Sequence, residues 1–181
     1  MQKSDLRDYI QFFDGALSDD QCDALISMFE AEAARDERRT DVYSFDQINC
    51  NETEGWREVA NYIAMIAGRT ADQYFAGLGL SIVPEVQGFE QVRMKRYTPG
   101  RDEFREHVDV ADYASARRYL VCMIYLDDNE AGHTTFDGLG VSISCKKGRM
   151  AVFPPLWMFP HAGKAPIGKP KYTICTLLHY V

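Results

Sequence analysis

A chain of 181 residues that is 46% hydrophobic and 12% aromatic has enough apolar side chain to bury one sizeable core, which excludes disorder and predicts a single domain over residues 1–181. Its formal charge of −7 argues against a generic nucleic-acid binder, because phosphate recognition needs a basic face; the Lys and Arg gathered between 93 and 118 are interleaved with Asp102, Glu103, Glu106, Asp109 and Asp112. The opening "MQKSDLRDYI" lacks an apolar stretch of signal-peptide length and no run approaches the roughly 18 residues of a membrane span, so the expectation is a cytoplasmic protein without membrane contact.

The first half reads as mostly helical. "YIQFF" (9–13) suits a short strand. Ser18 with Gln21 three residues on forms a capping box, and Cys22, Leu25, Ile26, Phe29 and Ala33 follow at helical spacing. Residues 35–55 are polar and aperiodic and are expected to be a loop, with Tyr43 and Phe45 as its aromatic exceptions. A second helix is expected from about Thr53, with Trp56, Val59, Ile63, Ile66 and Ala67 on one side, running toward Gly77 and Gly79. Both apolar stripes are ordinary core-facing patterns.

From about residue 87 the period changes. "FEQVRMKRY", "RRYLVCMIYLDD", "HTTF", "GVSISC", "RMAVFP" and "KYTICTLLHY" are short, rich in β-branched and aromatic residues, and separated by turn formers such as "TPG", "DDNEAG", "DGLG" and "KKG". Many strands without intervening helices predict an antiparallel sandwich or barrel over residues 86–181, with the helical residues 1–85 supporting one face. The five cysteines, at 22, 50, 122, 145 and 175, show no C-x-x-C spacing and mostly sit in apolar runs, the pattern of buried reduced thiols.

Three residues then carry chemistry. In "RYTPGRDEFREHVDV" (96–110), His107 and Asp109 lie two apart, so in an extended segment they point the same way with about 7 Å between Cα atoms. With four histidines in the chain, a lone H-x-D is as readily a solvated pair beside a turn. His161, in "FPPLWMFPHAGKAP", lies where a strand broken by Pro154 and Pro155 re-enters the barrel. Two histidines and one carboxylate, two of them close in sequence and the third on a distant strand, form the facial set of a non-heme Fe(II) oxygenase, which leaves three positions open. Ten residues after His161, Lys171 begins an apolar strand and shares a face with Thr173 and Cys175, while Tyr172, Ile174 and Thr176 share the other. A lysine pointing into a barrel calls for an anion; a lysine at a strand end can also simply be exposed.

"RYTPGRDEFREHVDV", "RYLVCMIYLDD", "GHTTF", "GRMAVFPP" and "PHAGKAPIGKPKYTICTLLHY" come in the order and spacing of the 2-oxoglutarate and Fe(II)-dependent dioxygenases, and the chain resembles their prolyl 4-hydroxylase-like branch over about residues 90–180; "LSDDQCDALISMFE" is similar to the helix that opens that domain. The resemblance implies a double-stranded β-helix, or jelly roll, mainly β with flanking helices. It implies iron held by His107, Asp109 and His161, 2-oxoglutarate anchored by Lys171 and hydrogen-bonded by Tyr97, and Tyr125 lining the same pocket. Fe(II), O2 and 2-oxoglutarate would be consumed or used to hydroxylate an unactivated C–H bond, with peptidyl proline as the branch's substrate and succinate and CO2 as products. The carboxylate at Asp109 favours hydroxylation, since related halogenases lack it.

Two departures stand out. Ala131, Gly132, His133 and Thr134 replace the family's usual Gly-Gly-Glu-Thr, and His133 is read as a surface substitution. Lys164 and Lys169 also lie near the expected anchor, so Lys171 is chosen on spacing and strand parity. Tyr43, Phe45, the turn at 127–133 and Trp157 to Phe159 are candidates for the mouth that receives a peptide, protein or small-molecule substrate. Two rival classes remain: a cupin-like metal enzyme that needs no 2-oxoglutarate, which has no use for Lys171, and a non-catalytic jelly-roll binding domain, against which every ligand position is filled.

Overall fold

The computed structural model describes residues 5–80, 82 and 88–181. Among them the chain runs through β1 (Gln11–Phe13), α1 (Asp19–Ala31), β2 (Asp36–Arg39), β3 (Ser44–Asn49), α2 (Arg57–Leu78), β4 (Gly88–Phe89), β5 (Arg93–Tyr97), β6 (Phe104–His107), β7 (Arg118–Tyr125), β8 (Asn129–Phe136), β9 (Val141–Cys145), β10 (Met150–Phe153), β11 (His161–Gly163) and β12 (Lys171–His179). One sheet has the order β1-β10-β7-β12-β5-β3-β2, with β4 also on β12; a smaller sheet has the order β6-β11-β8-β9. Every pairing is antiparallel, and the two sheets form the jelly-roll core that the strand spacing and the family resemblance led us to expect.

Alternation along the strands sorts the side chains into two cores. On β7, Leu120, Cys122 and Ile124 face the helices, while Val121 and Tyr125 face the small sheet. The first group joins Met94, Tyr172, Ile174 and Leu178 beneath Cys22, Leu25 and Phe29 of α1 and Ala60, Ile63, Ala67 and Tyr74 of α2. The second joins Phe136, Ile143, Cys145, Ala151, Phe153 and Phe159 between the sheets. The helices therefore buttress the back of the large sheet and leave its front free to line a cavity. Both helices end as their sequence signals require: Ser18 accepts from the Gln21 amide while the Gln21 side chain accepts from the Ser18 amide, and α2 stops at Gly79, whose φ of +62° suits glycine. The five cysteines are free, four of them buried and Cys175 half-buried. Among the described residues no helix is long and apolar enough to cross a membrane.

Two local expectations need correction. Residues 35–55 are not simply a loop, since they hold β2 and β3, which extend the large sheet beyond β5. "DERR" of β2 is exposed on both faces at the edge of the sheet, so it carries no apolar alternation; backbone pairing to β3 holds it, and charges on an edge strand also discourage further pairing. The second helix begins at Arg57, a few residues past the expected start near Thr53, because 50–55 form turns; Trp56 holds the N-cap position without a side-chain cap bond, its buried indole donating to Glu32 at 3.0 Å.

A partly buried ion network centred on Asp46 ties the added strands to the first helix. Asp46 of β3 accepts from Arg39 of β2 and Arg96 of β5, and Arg96 also reaches Glu30 of α1, which accepts from the Tyr172 hydroxyl of β12. Asp102 is fully buried in the β5–β6 connection; it accepts from the Ser44 hydroxyl, the Thr98 amide and the Arg101 guanidinium. Burial raises its carboxyl, but those donors outweigh it and hold the group down at about 2. These contacts fix the turn from which β6 departs.

Candidate active site

The six residues selected from the sequence, His107, Asp109, His161, Lys171, Tyr97 and Tyr125, line one cavity between the sheets. His107 and His161 are direct cross-strand partners on β6 and β11, which brings their rings to 4.4 Å between centroids. Asp109 lies two residues past the end of β6. The amides of Asp109 and Val110 both donate to the Pro155 carbonyl at 3.2 Å, and Arg118, itself paired with Glu90, donates to the Asp109 carbonyl at 2.8 Å. The carboxylate is thus held across from both rings, 3.6 Å from His107 Nε2 and 3.5 Å from His161 Nε2.

Each imidazole has its other nitrogen committed. His107 Nδ1 lies 2.8 Å from the Arg105 carbonyl and His161 Nδ1 lies 3.1 Å from the Phe159 carbonyl. With Nδ1 committed to a backbone carbonyl, each ring presents its Nε2 to Asp109, the orientation metal-ligating histidines adopt. The three ligand atoms lie within 4.8 Å of one another. Burial alone would raise the Asp109 carboxyl, yet His107, His161 and Lys95 outweigh it and leave the group below its ordinary value; burial pushes the His161 imidazolium down against the pull of Asp109. A carboxylate faced by the Nε2 atoms of two imidazoles is the donor set of a facial Fe(II) centre, so these residues fit that ion and could hold it. Among the described residues His133 is outside this cluster; it is half-buried within β8 rather than on a surface turn, with its Nε2 2.8 Å from the Glu130 carbonyl.

Lys171 opens β12 opposite Tyr97 and points into the cavity, 2% exposed. The parity read from the sequence holds, since Lys171, Thr173, Cys175 and Leu177 all line the cavity. The ammonium donates to the Lys164 carbonyl at 2.9 Å and sits 4.2 Å from the centre of the Tyr97 ring, and it forms no ion pair among the described residues. Burial pushes it down to about 8, so it is charged at neutral pH. Lys164 and Lys169, by contrast, are about half exposed and pair with Asp137 and Asp127. Gly132 and Gly163 make the channel for the Lys171 stem: a Cβ at Gly132 would stand 2.8 Å from its Cδ, and one at Gly163 would stand 3.5 Å from its Nζ. Tyr125 is buried and donates to the Thr134 hydroxyl at 2.5 Å, and burial holds both the Tyr97 and Tyr125 phenols well above their ordinary values.

The expected mouth is only partly realised. Tyr43, Phe45 and Phe104 form an aromatic cluster, with Phe45 also 5.5 Å from the Tyr97 ring. Trp157 is 75% exposed, whereas Phe159 is buried in the inter-sheet core. The turn expected at 127–133 is in fact largely the first half of β8, where Asn129 accepts from the Gly132 amide and donates to the Ile167 and Lys169 carbonyls, pinning the approach to β12. Sequence reasoning missed Lys95, Phe104, Met123, Thr134 and Phe153 in the lining. Lys95 was within reach of the same parity argument, two residues before Tyr97 on one strand.

Comparison with known proteins agrees with this geometry. The model of the 2OG-Fe(II) oxygenase superfamily matches residues 92–179. A search of curated proteins by sequence finds no match. The fold is similar to that of a viral collagen prolyl hydroxylase from Paramecium bursaria Chlorella virus-1, solved with 2OG, at a TM-score of 0.69 and 24% identity over 96% of this chain and 97% of that one. A Pseudomonas putida prolyl-4-hydroxylase gives 0.68 and 17% over 96% and 93%. A Trichoplax adhaerens prolyl hydroxylase, solved with a peptide fragment of the hypoxia inducible factor oxygen degradation domain, gives 0.72 and 13% over 95% and 84%. The His-Asp-His cluster, most strands of the jelly roll and the match to the 2OG-Fe(II) oxygenase superfamily, a family that uses Fe(II), 2-oxoglutarate and O2, all fall together within residues 92–179.

Proposed function

We propose that residues 1–181 form one dioxygenase domain that hydroxylates an unactivated C–H bond of a polypeptide, with proline as the residue attacked. The observation that carries the reading is the buried Lys171 ammonium, without a carboxylate partner among the described residues, in the same cavity as His107, Asp109 and His161. An uncompensated buried cation is costly, and a dicarboxylate cosubstrate would relieve that cost.

In this reading His107, Asp109 and His161 hold Fe(II), which when bound supplies O2 activation coupled to the decarboxylation of 2-oxoglutarate to succinate and CO2. The Arg105 and Phe159 carbonyls keep both Nε2 lone pairs aimed inward, and Arg118 with Pro155 steadies the Asp109 backbone. Lys171 takes the distal carboxylate, and Tyr97 supports it from below while offering its hydroxyl to the same ligand. Tyr125 closes the wall through Thr134. Val121, Met123, Phe153 and Leu177 exclude water from the reacting end. Proline is favoured because the similar folds belong to prolyl hydroxylases, one of them solved with a peptide.

The test is succinate formation from 2-oxoglutarate, with Fe(II) and air, in the presence of a panel of proline-containing peptides. Stimulation above the peptide-free rate, with a product carrying one added oxygen on proline, supports the assignment. Turnover of 2-oxoglutarate without stimulation or oxidised proline by any peptide would remove proline and leave the oxygenase class intact.

A further inference from the structure

Lys95 is a second cation in the cavity, and beyond its smaller share in holding the Asp109 carboxyl down, none of the roles above uses it. It lies on β5 facing the same way as Tyr97, with Thr173 and Gln47 as its cross-strand partners, and it is half-buried. Its ammonium stands 4.6 Å from the centre of the Phe45 ring and 5.3 Å from that of Phe104, two rings of the aromatic cluster beside the His-Asp-His group. Neighbouring guanidinium groups are neutralised locally: Arg39 and Arg96 by Asp46, Arg101 by Asp102, and Arg105 by Glu103. Lys95 forms no ion pair among the described residues. Aromatic faces steady a cation without occupying its N–H donors, so the ammonium keeps hydrogen-bonding capacity directed into the cavity.

Resting on the 2-oxoglutarate reading of this pocket, we propose that Lys95 is a specificity-determining residue that selects substrates bearing a carboxylate next to the C–H bond to be hydroxylated. Lys171 sits one step along the sheet, opposite Tyr97, against the buried floor made by Gly132 and Gly163, whereas Lys95 stands among the aromatic rings. Two separate cations suit two separate anions, one on the cosubstrate and one on the substrate. The carboxylate can belong to an acidic side chain beside a peptidyl proline or to the α-carboxylate of a free small molecule.

Two arms distinguish these sources. In the first, peptides identical except for Glu, Gln or Lys flanking a single proline are compared by substrate-stimulated kcat/KM. In the second, free proline is compared with prolinamide. In at least one arm the wild type should prefer the carboxylate form by about tenfold, equivalent to about 1.4 kcal/mol. Lys95→Met should bring that ratio within about twofold, and Lys95→Glu should reverse it toward the Lys peptide or the amide. The arm that responds identifies the source. A ratio that survives Lys95→Met, or no carboxylate preference in either arm, overturns the proposal. So does a rise of more than about tenfold in the KM for 2-oxoglutarate in Lys95→Met, which would assign the lysine to the cosubstrate. Failure of the underlying reading looks different: the wild type would not turn over 2-oxoglutarate at all.

Discussion

Replacing Lys171 by methionine keeps a stem of similar length between Gly132 and Gly163 and deletes the ammonium. Because the group is 2% exposed and has no carboxylate among the described residues, its loss removes one member of a desolvated charge pair with the ligand. Such losses amount to about 2–5 kcal/mol. At 1.4 kcal/mol per tenfold, the KM for 2-oxoglutarate should rise roughly 30-fold or more, measured as succinate formed against cosubstrate concentration. Lys164→Met and Lys169→Met remove half-exposed lysines already paired with Asp137 and Asp127, and each should shift the same constant by less than about threefold. The wild type should also lose affinity in alkali. Burial sets the Lys171 ammonium at about 8, so its charge is present below that pH and lost above it; KM should climb toward tenfold per pH unit beyond about pH 8, and the climb should be absent in Lys171→Met. A Lys171→Met variant with near-normal KM, or a large effect at Lys169 in its place, would refute the argument.

Gly132→Ala should raise the KM for 2-oxoglutarate several-fold with little change in melting temperature, since the new methyl would press 2.8 Å from Lys171 Cδ and only 3.3 Å from Asn129 Oδ1; an unchanged KM would show that the stem has room to move. Asp102→Asn should cost about 2 kcal/mol at neutral pH in urea unfolding. Its folded carboxyl is depressed from 3.8 to about 2, so the stabilisation is fully present above about pH 4 and vanishes as pH falls through about 2; the variant's deficit should shrink over that window, and a constant deficit would contradict the linkage. His133→Ala should leave metal binding and 2-oxoglutarate turnover unaltered, because the ring lies outside the His-Asp-His cluster; loss of metal binding in that variant would bring a fourth histidine into the site.

The site was legible because its chemistry is carried by parity. Lys171, Thr173 and Cys175 alternate with Tyr172, Ile174 and Thr176, and one long strand, paired on both sides through most of its length, preserves that alternation. His107 and Asp109 could be read as neighbours from their spacing, but their meeting with His161 depends on the β6–β11 pairing, 54 residues apart, and only the order of several motifs together pointed to it. What escaped was structure without a local hydrophobic signal. β2 is four charged residues held by backbone pairing and the Arg39–Asp46 ion pair, with no apolar contact to announce it, and β8 begins at Asn129, inside a stretch that reads as a turn because Asn, Glu, Ala and Gly do not alternate in polarity. Lys95 escaped for another reason. It stands among Arg93, Arg96 and Arg101, and a run of cations reads as a solvated face until the strand shows which of them points inward.

The central claim is that His107, Asp109 and His161 hold iron while Lys171 anchors 2-oxoglutarate beside it. Adding Fe(II) and 2-oxoglutarate to the protein without oxygen and recording the visible spectrum tests both halves at once. The account predicts a weak metal-to-ligand charge-transfer band for the wild type, its disappearance in His107→Ala, Asp109→Ala and His161→Ala variants that remain folded by circular dichroism, and its appearance in Lys171→Met only at much higher 2-oxoglutarate. No band in the wild type, or an undiminished band in any of the three alanine variants, would contradict it.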